Sequence, residues 1–271
     1  MMVTASPILC AALVSVGLAL SPAALGAESY ADAYASYRAA IKDRDLEMAL
    51  IYATKAHQAA QSVAELEDAQ RGVLAYNLGA VSYQVKRYRD ALPPLQEAAA
   101  LYAAAYGRES EKNLAPLRQL AKTHKALRNW REAERHWVRA ISIIEVEQGR
   151  TAPDVTEILM ELSEVARQLD APKRMRAYSQ RALYNLSLGD DPDALEVGHA
   201  HVNLATASIL LGDASETNKN LDRALAIYET QLSPKSPQLL DLYAFAAEAF
   251  EKTGRTTAAR KYRRKLKEAR G

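Results

Sequence analysis

One cysteine, two phenylalanines and two tryptophans are all that these 271 residues contain of those types. The cysteine, Cys10, sits in an N-terminal stretch in which residues 1–27 carry no charged side chain. The remainder therefore has no means of forming a disulfide, a thiolate metal site or a cysteine nucleophile. A strong excess of positive charge is also missing. The net charge is +2, well short of the basic face of a general nucleic-acid binder, and no nucleic-acid partner is expected. The eleven glycines are scattered and form no phosphate-cradling loop. No serine stands in a nucleophile-elbow context. The carboxylate pair Asp190-Asp191 adjoins Pro192 and reads as turn chemistry.

The five histidines are His57, His124, His136, His199 and His201. None pairs with another at the four-residue spacing that sets two ligands on one helical face, and His199 and His201 splay apart. Only long-range convergence could build a metal site. His124 falls on an inward helical position and reads as a hydrogen-bonded core residue. Accordingly no catalytic residue, cofactor or metal ligand is assigned, and an enzyme is not expected.

Apolar content of 49% and charged content of 25% are those of an ordinary globular chain. Ile8 to Leu20 forms an apolar core, followed by Pro22 and the small-residue run Ala23-Ala24-Leu25-Gly26-Ala27. This reads as a secretory signal peptide cleaved after Ala27. That predicts an exported protein, in a bacterial periplasm or secreted. The competing reading is a retained membrane anchor, since the stretch approaches the ~20 residues needed to span. The segment before Ile8 lacks the usual Lys or Arg.

Beyond residue 28 the dominant feature is a repeat. Ala49, Ala91, Ala133, Met175, Thr217 and Ala259 recur every 42 residues. A second column reads Ala56, Ala98, Ala140, Ala182, Ala224, Leu266, and a third Ser36, Leu78, Leu120, Leu162, Leu204, Ala246. One register over six copies marks a solenoid of stacked supersecondary units. Each copy holds two apolar stripes of helical period separated by a short polar turn. In the second copy these are Leu74, Leu78, Val81, Val85 and then Tyr88, Ala91, Leu92, Leu95, Ala98. Asp45, Asn129 and Asp213 stand where the second helix needs an N-cap, and Gly212 and Gly254 where the first should end. A small-residue column, Gly79, Ala121, Ser163, Ala205 and Ala247, marks the helix crossings. Copy boundaries are expected at residues 30–64, 65–107, 108–149, 150–191, 192–233 and 234–271. Tyr37 in the small column of copy one, and Arg263 and Lys267 in copy six, read as capping departures that complete the array.

Asn77-Leu78-Gly79 and Ala133-x3-Trp137 resemble the L-G and A-x3-F elements of the tetratricopeptide repeat family. The longer 42-residue period, Gly149-x3-Pro153-Asp154-Val155, Ser233-x3-Pro237 and Pro93 inside a second helix are similar to its kinesin-light-chain type. The resemblance spans residues 30–270. It implies an all-α fold, an α-solenoid wound as a right-handed superhelix of about six antiparallel helix pairs, and a protein or peptide as partner. It further implies a concave groove lined by the first helix of each pair, giving as candidates Tyr34, Arg38, Tyr76, Asn77, Tyr83, Arg118, Gln119, Lys122, Lys125, Glu161, Glu164, Asn203 and Thr206. Asn77 and Asn203 match the asparagine with which related repeats hold a peptide backbone, an amide being both donor and acceptor. The alternative for both is a solvated or helix-bridging amide. Arg118, Lys122 and Lys125 form a basic stripe, which Glu157, Glu161 and Glu164 of the next copy could neutralise. Tyr34, Ala115 and Gln119 occupy positions where chaperone-binding relatives carry their clamp, so that function is not carried over.

The C-terminal helix carries Arg255, Arg260, Lys261, Arg263, Arg264, Lys265, Lys267 and Arg270 around a narrow apolar stripe. It reads as a solubilising cap, and any membrane contact would be confined to it. The expected function is an exported scaffold binding a protein or peptide in its groove; a structural or self-associating envelope module is the alternative.

Overall fold

The computed structural model describes residues 29–189 and 192–270. The leader expected over residues 1–27 and the Asp190-Asp191 turn lie outside them. Twelve α-helices and no strand occur among the described residues. They follow one another in pairs: α1 (Tyr30–Lys42) with α2 (Leu46–Ala60), α3 (Asp68–Gln84) with α4 (Tyr88–Tyr106), and α5 (Leu114–Ala126) with α6 (Trp130–Gln148). Then come α7 (Pro153–Gln168) with α8 (Pro172–Leu186), α9 (Ala194–Leu210) with α10 (Ala214–Gln231), and α11 (Pro237–Lys252) with α12 (Thr256–Arg270). A single 3-10 turn, Glu111–Asn113, leads into α5. The helices fall into two compact units, residues 1–143 and 144–271, divided within α6.

The repeat is written in the backbone as well as in the side chains. The second residue past the first helix of each pair is left-handed: Arg44, Lys86, Arg128, Asp170, Gly212 and Gly254, with φ between 49° and 82°. These six are spaced 42 residues apart. After each of them the next amide donates to the carbonyl five residues back, as in Asp45 to Ala40 at 2.9 Å, Asn129 to His124 at 2.8 Å and Arg255 to Phe250 at 2.7 Å. This closure satisfies carbonyls that a helix end would otherwise leave bare. The following helix starts at once. Asp45 accepts the Met48 amide and Asp213 the Glu216 amide, each at 3.0 Å, the capping expected of them. Pro153, Pro172 and Pro237 open α7, α8 and α11, where a missing N–H costs nothing.

In the first unit α1 packs on α2, α2 on α3, α3 on α4 and α4 on α5. Ala49, Ala91 and Ala133 have no exposed surface at all. Gly79 shows why the crossing column must be small: a Cβ there would lie 2.4 Å from Leu95 Cγ on α4. Gly72 is in the same position against Tyr102, at 2.6 Å. Tyr37, expected to mark a capped end, is instead buried at 5% exposure. It shares a cluster with Ala53, the residue at the register that Leu95 occupies one repeat on. The bulk has moved from the second helix to the first, so the departure is a size exchange and not a polar outer face.

The second unit repeats the scheme, with α7 through α12 each packed on the next except that α7 also touches α9. Met175, Thr217 and Ala259 are fully buried in the alanine column. Where the first unit sets Gly79 against Leu95, the second sets Ser163 against Ser179, whose hydroxyls lie 2.7 Å apart. Ser179 also donates to the Met175 carbonyl at 2.9 Å, so this buried polar pair is satisfied. Gly198 meets Tyr228 as Gly72 meets Tyr102, with 2.7 Å to an added Cβ.

Candidate binding surface

Every candidate from the sequence lies on the first helix of a pair. Tyr34 and Arg38 are on α1, Tyr76, Asn77 and Tyr83 on α3, and Arg118, Gln119, Lys122 and Lys125 on α5. In the second unit Glu161 and Glu164 are on α7 and Asn203 and Thr206 on α9. One pair of neighbouring first helices touches in each unit, α3 with α5 and α7 with α9. The candidates on α3 and α5 therefore lie on adjoining helices, as do those on α7 and α9.

The surface of the first unit is aromatic at one side and amide-rich and basic at the other. Tyr34 stacks on Tyr37 with ring centres 6.0 Å apart, and Tyr83 tilts against Tyr88 of α4 at 5.2 Å. Burial pushes the Tyr76 hydroxyl pKa up. Burial first, then the neighbouring Tyr34 and Tyr76 phenols, does the same for Tyr37. These hydroxyls stay protonated and act as neutral hydrogen-bond partners. Asn77 is only 9% exposed, which leaves little of its amide for a peptide. Gln119 presents a different opportunity. Its Nε2 is buried and has no hydrogen-bond partner among the described residues, and a buried donor without an acceptor is costly. Sequence reasoning placed Gln119 in the groove without distinguishing it from its neighbours.

In the second unit Glu164 is held by its own helix: Arg167 donates to it at 2.6 and 2.8 Å and Gln168 at 2.9 Å. Thr206 spends its hydroxyl proton on the Val202 carbonyl at 2.9 Å. Asn203 is half-buried.

The histidines divide into three environments. His57 Nε2 meets Glu97 at 2.8 Å. His201 is buried and donates from Nδ1 to Asn220 Oδ1 at 2.8 Å, while His199 lies edge-on to Tyr228, so this pair does diverge. The third environment was missed in the sequence. His124, in the last turn of α5, converges with Glu132 and His136 of α6, and one ligand atom from each lies within 4.8 Å of the others. The two imidazoles stand 5.4 Å apart and nearly parallel. His124 is buried as expected, with Asn129 Nδ2 3.4 Å from its Nδ1. Burial lowers its pKa, opposed by Glu132. The His136 pKa is pushed down to about 4, by burial first and then by His124 and Arg135. A search for paired histidines alone overlooked Glu132-x3-His136, which places a carboxylate and an imidazole on one helical face.

Four of the eight basic residues at the C-terminal helix are ion-paired. Arg255 reaches Asp222 at 2.7 Å, Lys265 reaches Glu229 at 2.7 Å, and Arg263 and Arg264 meet Glu251 and Glu268 at 3.2 and 3.6 Å. No described helix is long and apolar enough to cross a membrane.

A family model for the tetratricopeptide repeat matches residues 71–145. No curated protein matches the chain. Among solved structures, BtubC (BKLC) from P. vanneervenii is 18% identical with a TM-score of 0.61, over 76% of this chain and 83% of that one. A putative kinesin light chain of Podosopora anserina with nearly identical TPR-like repeats is 17% identical with a TM-score of 0.61, over 72% and 93%. The apo form of RapI is 12% identical with a TM-score of 0.53, over 91% and 85%. At these identities the likeness is one of fold. Residues 71–145 match the tetratricopeptide repeat family, and the helix pairs throughout the described residues have the fold of solved TPR-like repeat structures.

Proposed function

We propose that the chain is an exported, non-catalytic scaffold that holds an extended peptide segment of a protein partner against the first helices of its repeats. In the first unit the peptide lies across α3 and α5, with Tyr83 and Tyr76 offering apolar contact and Gln119 and Lys122 meeting backbone and acidic groups. The observation that carries this is the Gln119 amide of α5, whose buried Nε2 has no acceptor among the described residues. The Gln119 side chain as a whole is half-buried, so a rotamer change would bring the amide to an incoming carbonyl that satisfies it. Because Asn77 is nearly buried, Gln119 and not Asn77 is the residue to remove. The test is Gln119→Ala combined with Tyr83→Ala, read by crosslinked capture from the envelope fraction. Capture of a discrete partner should be lost while the far-UV spectrum is retained; equal capture by the double variant refutes the groove.

Export rests on the apolar segment and small-residue run over residues 8–27. N-terminal sequencing of the protein from cell fractions should begin at Glu28, and an intact Met1 in the cytoplasmic fraction would overturn it. The alternative, a self-associating envelope module, has one observation in its favour. Val146, Tyr184 and Leu188 of the second unit are 74%, 60% and 54% exposed, large apolar groups that a second copy could cover. A sedimentation coefficient independent of concentration removes that alternative.

A further inference from the structure

We infer that His124, Glu132 and His136 form a binding site for a borderline divalent transition-metal ion, of which zinc is the type, clasping the hairpin between α5 and α6. Three donors of metal-ligating type converge here, each offering one atom within 4.8 Å of the rest. In a tetrahedral zinc site with Zn–N of about 2.0–2.1 Å, donors lie about 3.3 Å apart. The closure this requires falls on Glu132 and His136, which are only half-buried. His124 is fixed by burial and needs to move least.

The local fold supplies what such a site needs. Glu132 and His136 stand one turn apart on α6, so their side chains share a face. His124 arrives from the antiparallel helix before it, across the tight turn at Arg128 (φ 60°). Coordination through His124 Nε2 leaves Nδ1 to Asn129, now 3.4 Å away. Turning that amide over presents Oδ1 to an Nδ1–H, the outer-sphere bond that metal-bound imidazoles characteristically make. The competing partner is weak. Arg135 holds the Glu132 carboxylate at 2.5 Å, but it is 70% exposed, and such solvent-facing pairs are readily given up.

Donor chemistry sets the class of ion. Two imidazoles and one carboxylate suit zinc, nickel, cobalt or copper, whereas calcium and magnesium take oxygen donors. Three protein ligands leave a coordination position for water on the side where Glu132 and His136 reach the surface.

The test uses the full chain without an affinity tag, stripped with a chelator and titrated with zinc, with uptake read by elemental analysis after dialysis. One equivalent should bind saturably, the thermal midpoint should climb with zinc concentration, and cobalt in its place should give visible absorption bands. His136→Ala should weaken uptake by at least about 10-fold, and Glu132→Gln measurably. Absence of saturable uptake overturns the proposal, as does uptake unchanged in both variants, which would assign the ion to His57 or His199. Calcium or magnesium binding this site as tightly as zinc would also overturn it. Should His136→Ala lose its helical spectrum, Glu132→Gln, whose amide keeps the shape of the carboxylate, decides the matter.

Discussion

Gly212→Ala separates backbone conformation from packing more cleanly than any other change in this chain. Gly212 closes α9 at φ +74°, and a Cβ added there meets nothing within 4 Å. The whole effect must then come from holding an L-residue in the left-handed region, at about 1–2 kcal/mol. Alanine also narrows the unfolded ensemble, which offsets about 0.4–1 kcal/mol of that cost. The net destabilisation is roughly 1 kcal/mol, or about 2–4 °C in melting temperature for a protein of this size. Four repeats already carry that strain, since Arg44, Lys86, Arg128 and Asp170 occupy the same place at φ of 60°, 63°, 60° and 49°. Lys86 is exposed, so Lys86→Gly should stabilise by a similar amount. Urea unfolding followed by far-UV circular dichroism, with the slope m held equal between variants, measures both. A neutral Gly212→Ala together with a destabilising Lys86→Gly would refute the account of the turn.

Ala133→Phe inserts a ring where no surface is exposed and should cost about 1–3 kcal/mol by overpacking; an unchanged melt would mean that the alanine column does not set the helix spacing. Arg71 donates to the carbonyls of Leu66, Ala60 and Val63 at 3.1, 3.3 and 2.6 Å, so Arg71→Met should free the loop after α2 and hasten its cleavage in limited proteolysis, while equal cleavage rates would show that the loop is held otherwise. Burial lowers the pKa of His201, as it does for His136. The unfolded chain therefore binds protons first, near the ordinary histidine value of about 6.5, and metal-free stability should fall as pH drops from 7 toward 5, above the main carboxylate range. His201→Gln should flatten that decline relative to wild type, and a decline of equal slope would place the sensitivity elsewhere.

The period was legible because burial acts through it: a column buried in every copy leaves alanine at 49, 91 and 133. The turns were half legible. Gly212 and Gly254 announce left-handed residues, but Arg44, Lys86, Arg128 and Asp170 give no such sign, since Schellman closure enforces a conformation that their side chains do not prefer. Tyr37 was misread because its meaning depends on Ala53 opposite, a relation between two helices and not a property of one. The convergence of His124 with Glu132 and His136 depends on two helices folding back across Arg128. Spacing along a single helix could supply only the second and third members. Asn77 matched a family position, yet its burial is set by the packing of α3, which no motif records.

Across the crossings, volume is shared out differently in each hairpin: Tyr37 with Ala53, Gly79 with Leu95, Ser163 with Ser179, and at the same register Ala121 with Trp137. A single helix transplanted from one repeat to another would therefore set tyrosine against leucine, or glycine against alanine, leaving a clash or a hollow. A transplanted hairpin carries its own match. Recombination along such a chain can trade whole hairpins freely, while each helix remains bound to the partner with which its bulk was divided.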